Sequence, residues 1–469
     1  MSDAARGIRR EGAVYLAATV VQRGLPVLVL PFLTRMLVPS DVGEVALGLA
    51  VSNLASILFG LGVQFAIVRL VHDDASDRRA SWPALVWRQL AFSGAALVVV
   101  AGSAPLWAGL VAPDGTRGAV LLIALALGWV LSAQGIMLSL ARTSRRVGLF
   151  LVMTVVQAVV GQIVGLSLAV LWGAVGYLAG MLAGALVSAV IGLTIQRVPL
   201  QWGLADGRQI VAFSAWFVFQ WVTLWVLNMS DRLIVEGFLG AEVVGAYYVA
   251  YVIGTGLSLV LDAAQSAWVP RFFASRDRDA KRGLLSRALV PYSAVVATLS
   301  LAIALAAPLL VVIAAPSAPD WAASVIAVVS LCATYRPAYL LAVAVMNDHK
   351  DARSTAIATA ISAAVALGLN FLLIPSIGVI AAAIASAFSY AVLSALCLAA
   401  VRRFADVPAR PVLWTSGIWM AATALSVGVA ILPSSGPWLW GRTAAAAAVV
   451  FCCVAAVWIA RKHRSRASA

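Results

Sequence analysis

Two arginines stand far from the ends of apolar segments, where a full positive charge is costly and needs a chemical reason. Arg23 lies near the middle of the first apolar run of the chain, and Arg336 lies near the middle of the tenth. A charge at the centre of a bilayer costs ~3 kcal/mol on insertion scales, so it normally faces a wet interior or a polar partner. The planar guanidinium of Arg binds two phosphate oxygens at once. The spacing therefore indicates an anion site, unless helix carbonyls or a neighbour such as Gln22 or Tyr335 hold these charges.

A second group of polar residues stands nearer the ends of the apolar runs, where long side chains reach the interface at little cost. Arg35, Arg69 and Arg232 could bind the same anion, and amides could bind hydroxyl groups or simply join helices. Asp231 and Arg232 are adjacent where the run at 210–234 reaches the outer interface. They either cap that helix end towards the headgroups or line the mouth of a cleft. The binding candidates also include Gln22, Asn53, Gln64, Asn228 and Asp231.

One acidic residue, Asp262, lies well inside an apolar run, LSLVLDAAQSAWV. A carboxylate there could take up H⁺ or Na⁺ and couple an ion gradient to transport. It could equally be an exposed or Arg-paired carboxylate close to the cytoplasmic interface. We expect no acidic residue at the depth of Arg23 or Arg336.

Residues for catalysis or metal binding are scarce. The three histidines lie in connections or in the tail, and the four cysteines lie in apolar runs without metal-ligand spacing. The sequence has no GxxxxGK[ST] phosphate loop. We expect no metal, no cofactor and no enzymatic activity, with coupling to a Na⁺ or H⁺ gradient left open.

The elements that carry these residues are apolar helices. Of the 469 residues, 63% are hydrophobic and 11% are charged, which is far from the composition of soluble proteins. Runs of 18 or more apolar residues can cross a bilayer as helices. The sequence predicts an all-α polytopic membrane protein with about fourteen such helices, at 13–34, 43–70, 87–112, 118–141, 148–171, 174–195, 210–234, 243–268, 286–314, 321–346, 354–374, 377–401, 412–432 and 437–460.

The distribution of Lys and Arg predicts the orientation. With both termini inside, 27 of the 33 basic residues lie in cytoplasmic segments. Four lie outside, among them Arg442. Positive loops remain cytoplasmic, so we expect a multi-pass protein of a bacterial inner membrane with both termini in the cytoplasm. The net charge of +14 is then explained by topology and anionic lipid, and we expect no nucleic-acid partner.

Internal repeats predict two lobes. The stretch 33–47 is echoed by 230–249, and 171–186 aligns without gaps to 373–388 at an offset of 202, which places Gly176 on Gly378. An even number of helices separates the echoes, so the lobes have parallel topology and are related by a pseudo-two-fold axis along the membrane normal. We expect a six-helix lobe at 1–200, a second at 201–403, and two further helices with a basic cytoplasmic tail at 404–469.

Three stretches carry a resemblance to a known family: TRMLVPSDVGEVAL, NMSDRLIVEGFLGAEVVGAYYVAY and NFLLIPSIGVIAAAIASAFSY. They resemble the bacterial polysaccharide-unit flippases of the multidrug, oligosaccharidyl-lipid and polysaccharide exporter superfamily. The resemblance implies a flippase that moves O-antigen, capsule or exopolysaccharide units on undecaprenyl pyrophosphate from the inner to the outer leaflet. It also implies alternating access through a cationic central cleft, contact with membrane lipids and a monomeric protein, with a glycan polymerase left open as a partner.

Three alternatives stay open. A lipid II flippase would share the lipid pyrophosphate and the cationic cleft. A cation-coupled multidrug exporter of the same superfamily would share the fold, but the two mid-membrane Arg residues favour an anionic substrate. A membrane glycan polymerase or ligase would need a large outer loop, and the predicted outer connections are all short, under about 12 residues.

Overall fold

The computed structural model describes residues 3–71, 82–104, 116–203, 207–275, 277–404 and 409–467. These residues form fifteen α-helices and one 3₁₀ turn, at Arg402–Phe404, and contain no β-strand. The helices are α1 Asp3–Met36, α2 Pro39–Gly60, α3 Val63–Val71, α4 Trp82–Gly102, α5 Thr116–Thr143, α6 Val147–Gln196, α7 Gly207–Leu239, α8 Ala241–Gly254, α9 Ser258–Ala274, α10 Arg278–Ala314, α11 Trp321–Asp348, α12 Ala352–Ile377, α13 Ile380–Val401, α14 Ala409–Ile431 and α15 Pro437–Ala467. The predicted all-α class is confirmed.

Membrane-spanning length is met by ten helical ranges in the described part of the chain. One of them, α6, has 50 residues, about 75 Å at 1.5 Å per residue, which is too long for one crossing. Its backbone leaves the helical region at Trp172 and Gly173, so it contains two predicted segments. The three predicted segments outside these ranges also coincide with helices, in α1, α7 and the pair α8 and α9. The chain is a multi-pass membrane protein.

Two of the predicted segments are broken where the sequence suggested a continuous helix. The segment 43–70 ends its first helix at Gly60, and both Leu61 and Gly62 have positive φ, 48° and 70°. A Cβ on Gly62 would lie 2.6 Å from the carbonyl oxygen of Ser214, so no larger residue fits. The segment 243–268 is broken between α8 and α9. Apolar composition persists through both breaks, which is why hydropathy missed them.

The chain divides into two compact units. The first contains Met1–Leu233 and Gly240–Gly245, and the second contains Ile234–Leu239 and Ala246–Ala469. Most of α7 belongs to the first unit, where the Trp225 indole donates a 2.9 Å hydrogen bond to the Ala50 carbonyl. This division by compactness differs from the predicted division by repeats at 200 and 403, which stays a prediction.

Within the first unit, α6 folds back on itself as a tight antiparallel pair. A Cβ on Gly180 would lie 2.1 Å from the backbone nitrogen of Gly165, and one on Gly184 would lie 2.5 Å from that of Gly161. Backbones that approach this closely are typical of small-residue packing in lipid, where van der Waals contact holds helices together.

The second unit repeats this hairpin with α12 and α13. Gly173 has φ 57° and ψ −136°, and Gly378 between α12 and α13 has φ 72° and ψ −156°. These equivalent turns are 205 residues apart, so the alignment at 202, which placed Gly176 on Gly378, is wrong by three residues. Small residues recur about once per helical turn, so a shift of three leaves the similarity almost unchanged.

A second pair of equivalent turns supports this register. Arg145 and Lys350 both have left-handed backbones, with φ of 54° and 58°. In each turn the following N–H reaches back to a carbonyl five residues earlier, Arg146 to Ala141 and Asp351 to Met346, both at 2.8 Å. This is the hydrogen bond of a Schellman helix end.

The first unit also contains a reciprocal crossing of two helix starts. A Cβ on Gly43 in α2 would lie 1.9 Å from the Ala241 carbonyl oxygen, and a Cβ on Gly245 in α8 would lie 2.1 Å from the Pro39 carbonyl oxygen. The two glycines are 202 residues apart, and so are Pro39 and Ala241. The two helices therefore touch backbone to backbone through equivalent residues.

In the second unit, α11 is almost entirely enclosed, with 89% of its apolar window buried. The last hairpin, α14 and α15, is fastened to α10 by Arg442, which is 4% exposed. Its guanidinium donates to the carbonyls of Leu432 and Pro433 at 3.0 and 3.3 Å and to that of Ala304 at 3.0 Å. Pro308 lacks the N–H that would normally bond to Ala304, so Arg442 takes its place.

Candidate functional site

Asp231 and Arg232 lie within α7, eight and seven residues before it ends at Leu239. They are 3% and 5% exposed. The predicted helix end at 234 is therefore wrong, and so is the interpretation of these residues as an exposed cap facing headgroups. The carboxylate of Asp231 accepts a 2.9 Å hydrogen bond from the Arg232 backbone N–H and lies 3.6 Å from the guanidinium.

The same stretch of α7 includes a third predicted residue. The Arg232 guanidinium donates to the Asn228 carbonyl at 2.9 Å, and the Asn228 amide donates to the Leu224 carbonyl at 2.6 Å. Buried charges are stable only when they are paired and hydrogen-bonded, and this helix supplies partners of both kinds. The structure thus brings Asn228, Asp231 and Arg232 together in one polar stretch, in which Asp231 and Arg232 are buried and Asn228 is partly exposed.

Arg336 in α11 forms an ion pair with Asp262 in α9. One guanidinium nitrogen lies 3.4 Å from one carboxylate oxygen, and each side chain is 19% exposed. The expectation that no acidic residue shares the depth of Arg336 is wrong. A continuous helix over 243–268 would place Asp262 close to the cytoplasmic interface, but the break between α8 and α9 removes that reason. The alternative of an Arg-paired Asp262 is the one found.

A buried apolar cluster joins the two helices that carry this pair to α10. Leu257, Leu261, Val296, Ala333 and Leu340 form a buried cluster where α9, α10 and α11 meet. The Tyr292 hydroxyl donates to the Leu261 carbonyl at 3.0 Å, which ties α10 to α9 beside Asp262.

Tyr292 was missed by the sequence reasoning, since a tyrosine in an apolar run gives no distinct signal. Tyr335 was considered as a local partner of Arg336, but its hydroxyl is hydrogen-bonded to the Thr423 hydroxyl at 2.7 Å. Its ring also stands edge-on to Trp419, with centroids 5.4 Å apart.

The candidates in α1 are more exposed. Gln22, Arg23 and Arg35 all have exposed side chains. The Arg35 guanidinium donates to the Pro31 carbonyl of its own helix at 2.7 Å. The expectation that Arg23 faces a cationic cleft stays a prediction.

Three further candidates lie in α2 and α3. The Asn53 amide donates to the Leu49 carbonyl of its own helix at 2.7 Å. The Gln64 side-chain oxygen lies 3.0 Å from where a Cβ on Gly135 would stand. The backbone carbonyl of Gln64 accepts a 2.7 Å hydrogen bond from the Ser139 hydroxyl. The Ser139 bond joins α5 to α3 at Gln64, whereas Asn53 bonds only within its own helix. Arg69 lies in α3, and its side chain lies outside the described part of the chain.

The arrangement around Arg336 has a specific chemical capacity. A charge-assisted N–H···O bond is normally about 2.7–2.9 Å long, so the contact with Asp262 at 3.4 Å is loose. Arg carries five N–H donors in a planar fork, which suits a phosphate group. In the described residues, no group of three or more His, Cys, Asp or Glu side chains could hold a metal ion.

A comparison of the sequence with known protein families identifies the family of the chain. A polysaccharide biosynthesis protein family matches residues 8–276, more than half of the chain. The chain belongs to this family. No curated protein is similar enough in sequence to count as a match.

Solved structures share the fold of this polysaccharide biosynthesis family member. The lipid II flippase MurJ, in an inward closed conformation, has a TM-score of 0.70 at 13% identity, over 96% of this chain and 98% of that chain. An inward-facing multidrug resistance transporter of the MATE family, in the MOP superfamily, has a TM-score of 0.59 at 13% identity, over 87% and 95%. An outward-facing form has 0.56 at 14% identity, over 88% and 96%. The predicted resemblance to a polysaccharide family is confirmed by the family match, and these structures show a shared fold.

Proposed function

We propose that this protein is a flippase that moves oligosaccharide linked to undecaprenyl pyrophosphate from the inner to the outer leaflet of a bacterial inner membrane. Membership of the polysaccharide biosynthesis family supports a glycan substrate, and the transporter fold supports movement across the membrane. Alternating access would carry the headgroup through the protein while the prenyl chain stays in lipid. The protein would work as a monomer with both termini in the cytoplasm, without nucleic acid or an enzymatic step.

The observation that carries the proposal is Arg336. It stands in a membrane-spanning helix, it is partly exposed, and a single loose contact with Asp262 leaves donors for a phosphate group. A positive charge in a membrane-spanning helix makes insertion less favourable. A pyrophosphate headgroup that passes through the protein needs such a charge as its partner. Arg23 and the buried stretch at Arg232 are further positive groups that could contact the substrate.

The test replaces Arg336 in a strain whose surface glycan depends on this protein. Arg336→Ala should abolish glycan export while the protein still inserts, because the contact with Asp262 is loose and both side chains are partly exposed, so its loss costs little stability. Arg336→Lys should rescue only partly, since Lys lacks the planar fork. Membrane abundance and surface glycan are measured together for the Ala, Lys and Gln variants. Normal glycan from well-inserted Arg336→Ala protein would contradict the phosphate role.

A lipid II flippase is the second candidate, favoured by the fold similarity to MurJ. The two substrates share the lipid pyrophosphate and differ in the sugars. A deletion strain separates them, because a polysaccharide flippase should leave full-length oligosaccharide on undecaprenyl pyrophosphate, whereas a lipid II flippase should leave peptidoglycan precursor. A multidrug exporter, suggested by the MATE fold, is a third candidate, and the carboxylate of Asp262 beside Arg336 is compatible with it. Unchanged glycans with raised drug sensitivity would favour it.

A further inference from the structure

The ion pair of Asp262 and Arg336 differs from a structural ion pair of the same unit. Lys281 and Asp348 are 2.6 Å apart, the distance of a tight charge-assisted hydrogen bond. Asp262 and Arg336 meet through one oxygen and one nitrogen at 3.4 Å, and both remain 19% exposed. Partly solvated contacts of this length contribute little net stability, typically ~0–1 kcal/mol. An incoming group can therefore replace Asp262 at modest cost.

The carboxylate of Asp262 carries the same kind of charge as a phosphate oxygen. It contacts one terminal guanidinium nitrogen of Arg336, which a phosphate would also need if it bound the planar fork through two oxygens. A membrane presents a second source of phosphate, because its inner leaflet contains anionic phospholipids whose headgroups could enter any cleft that admits a lipid-linked substrate. A bare Arg336 would bind these monoanionic headgroups and block transport.

We propose that Asp262 is a selectivity filter: it covers Arg336 in the unloaded protein, excludes monoanionic phospholipid headgroups, and gives way to a polyanionic pyrophosphate. The inference rests on the proposed function, since it uses Arg336 as the anion site. A tethered carboxylate acts at an effective concentration on the order of millimolar or more, so a free ligand must bind Arg336 more strongly to displace it. A pyrophosphate has more negative charge and more oxygens for the guanidinium fork than a phosphodiester has. Specificity then arises from a repulsive element as well as an attractive one.

The experiment measures binding of two probes to the purified full chain in detergent micelles. Farnesyl pyrophosphate represents the polyanionic headgroup, and dioctanoylphosphatidylglycerol represents the monoanionic one. The wild type should prefer farnesyl pyrophosphate. Asp262→Asn should bind dioctanoylphosphatidylglycerol up to about fivefold more tightly, because the competing contact is weak, with a smaller gain for farnesyl pyrophosphate, so that selectivity falls.

Matched variants identify the cause. Asp348→Asn removes a carboxylate from the other ion pair and should leave both affinities within twofold. Asp262→Glu keeps the charge and should retain selectivity. The double variant Asp262→Asn with Arg336→Gln should show no gain, because the uncovered donor is missing. Asp262→Ser serves as a second neutral variant if Asp262→Asn is not monodisperse.

The outcomes separate the two proposals. If farnesyl pyrophosphate binding depends on Arg336 but the neutral Asp262 variants leave phosphatidylglycerol affinity unchanged, the filter is wrong and the anion site stands. If Asp262→Asn still raises phosphatidylglycerol affinity in the Arg336→Gln background, the loss of a negative charge acts through the general electrostatic potential and not through Arg336. The filter is again wrong in that case. If no variant binds farnesyl pyrophosphate, or Arg336→Gln binds it as the wild type does, the anion site fails and the filter fails with it.

Discussion

Arg442→Met should destabilise the second unit by about 3 kcal/mol, because it removes three hydrogen bonds to carbonyls at once, a buried one to Ala304 and two partly buried ones to Leu432 and Pro433. Two of these carbonyls, of Leu432 and Pro433, follow the end of α14, and the third, of Ala304, is left without its helical N–H by Pro308. The estimate takes about 1 kcal/mol for each bond, between the value for charged donors in soluble proteins and the smaller average within membranes.

A double-mutant cycle tests the reason for this loss. In Pro308→Ala the restored N–H of residue 308 can bond to the Ala304 carbonyl. That carbonyl then no longer depends on Arg442 for a hydrogen bond. Arg442→Met should then cost about 1 kcal/mol less than it does in the wild-type background. Reversible unfolding in mixed micelles, followed by tryptophan fluorescence, gives the four free energies. Arg410→Met removes an exposed Arg near the start of α14 and should change stability by less than about 0.5 kcal/mol.

The reasoning would be refuted if Arg442→Met cost the same in both backgrounds. That result would mean that Arg442 contributes through packing or through the end of α14 alone, and that the Ala304 carbonyl does not depend on it. A cost no larger than that of Arg410→Met would remove the fastening role altogether.

The crossing of α2 and α8 and the start of α12 give two more predictions. Gly43→Ala and Gly245→Ala should each cost about 1–3 kcal/mol in the same unfolding assay, because a Cβ would overlap a backbone carbonyl that cannot rotate away. Gly417→Ala, with open space around its Cβ, should be neutral or stabilising. Equal effects on stability at all three positions would contradict the crossing. The pKa of Asp351 is lowered from its ordinary value, first by the hydrogen bond from the Ser354 side chain, so the stability it contributes is present above about pH 4 and is lost as pH falls through the lowered value. Asp351→Asn should therefore lose less stability than the wild type on acidification below about pH 4, and parallel curves would count against it.

The sequence predicted most of the helical layout because apolar length is dictated by the bilayer. Within the described residues, which leave out 105–112 of the segment 87–112, every predicted segment coincides with a helix. The breaks at Leu61 and between α8 and α9 lie inside apolar runs and leave no trace in hydropathy. Helix ends in lipid-facing segments are set by packing, which explains why α7 continues five residues past the predicted 234.

The candidate site could be predicted less well. Residue type identified Arg336 and Asp262 as unusual, but their pairing depends on the direction of α9, which composition does not encode. Arg442 was assigned to the outer side by counting charges, and its burial depends on a carbonyl exposed by Pro308, more than a hundred residues away in the chain. Contacts of this kind arise from tertiary geometry alone.

The equivalent turns at Arg145 and Lys350 indicate how the two halves of the chain evolved. Gly43 and Gly245 are 202 residues apart, whereas Arg145 and Lys350 are 205 apart, so the second half of the chain holds three more residues between these two landmarks. This is the pattern expected when one ancestral gene segment is duplicated and fused and one copy later acquires a short insertion. The residue at this turn is Arg in one copy and Lys in the other, but the left-handed backbone is the same. Backbone shape then preserves the evidence of common descent where the side chains differ.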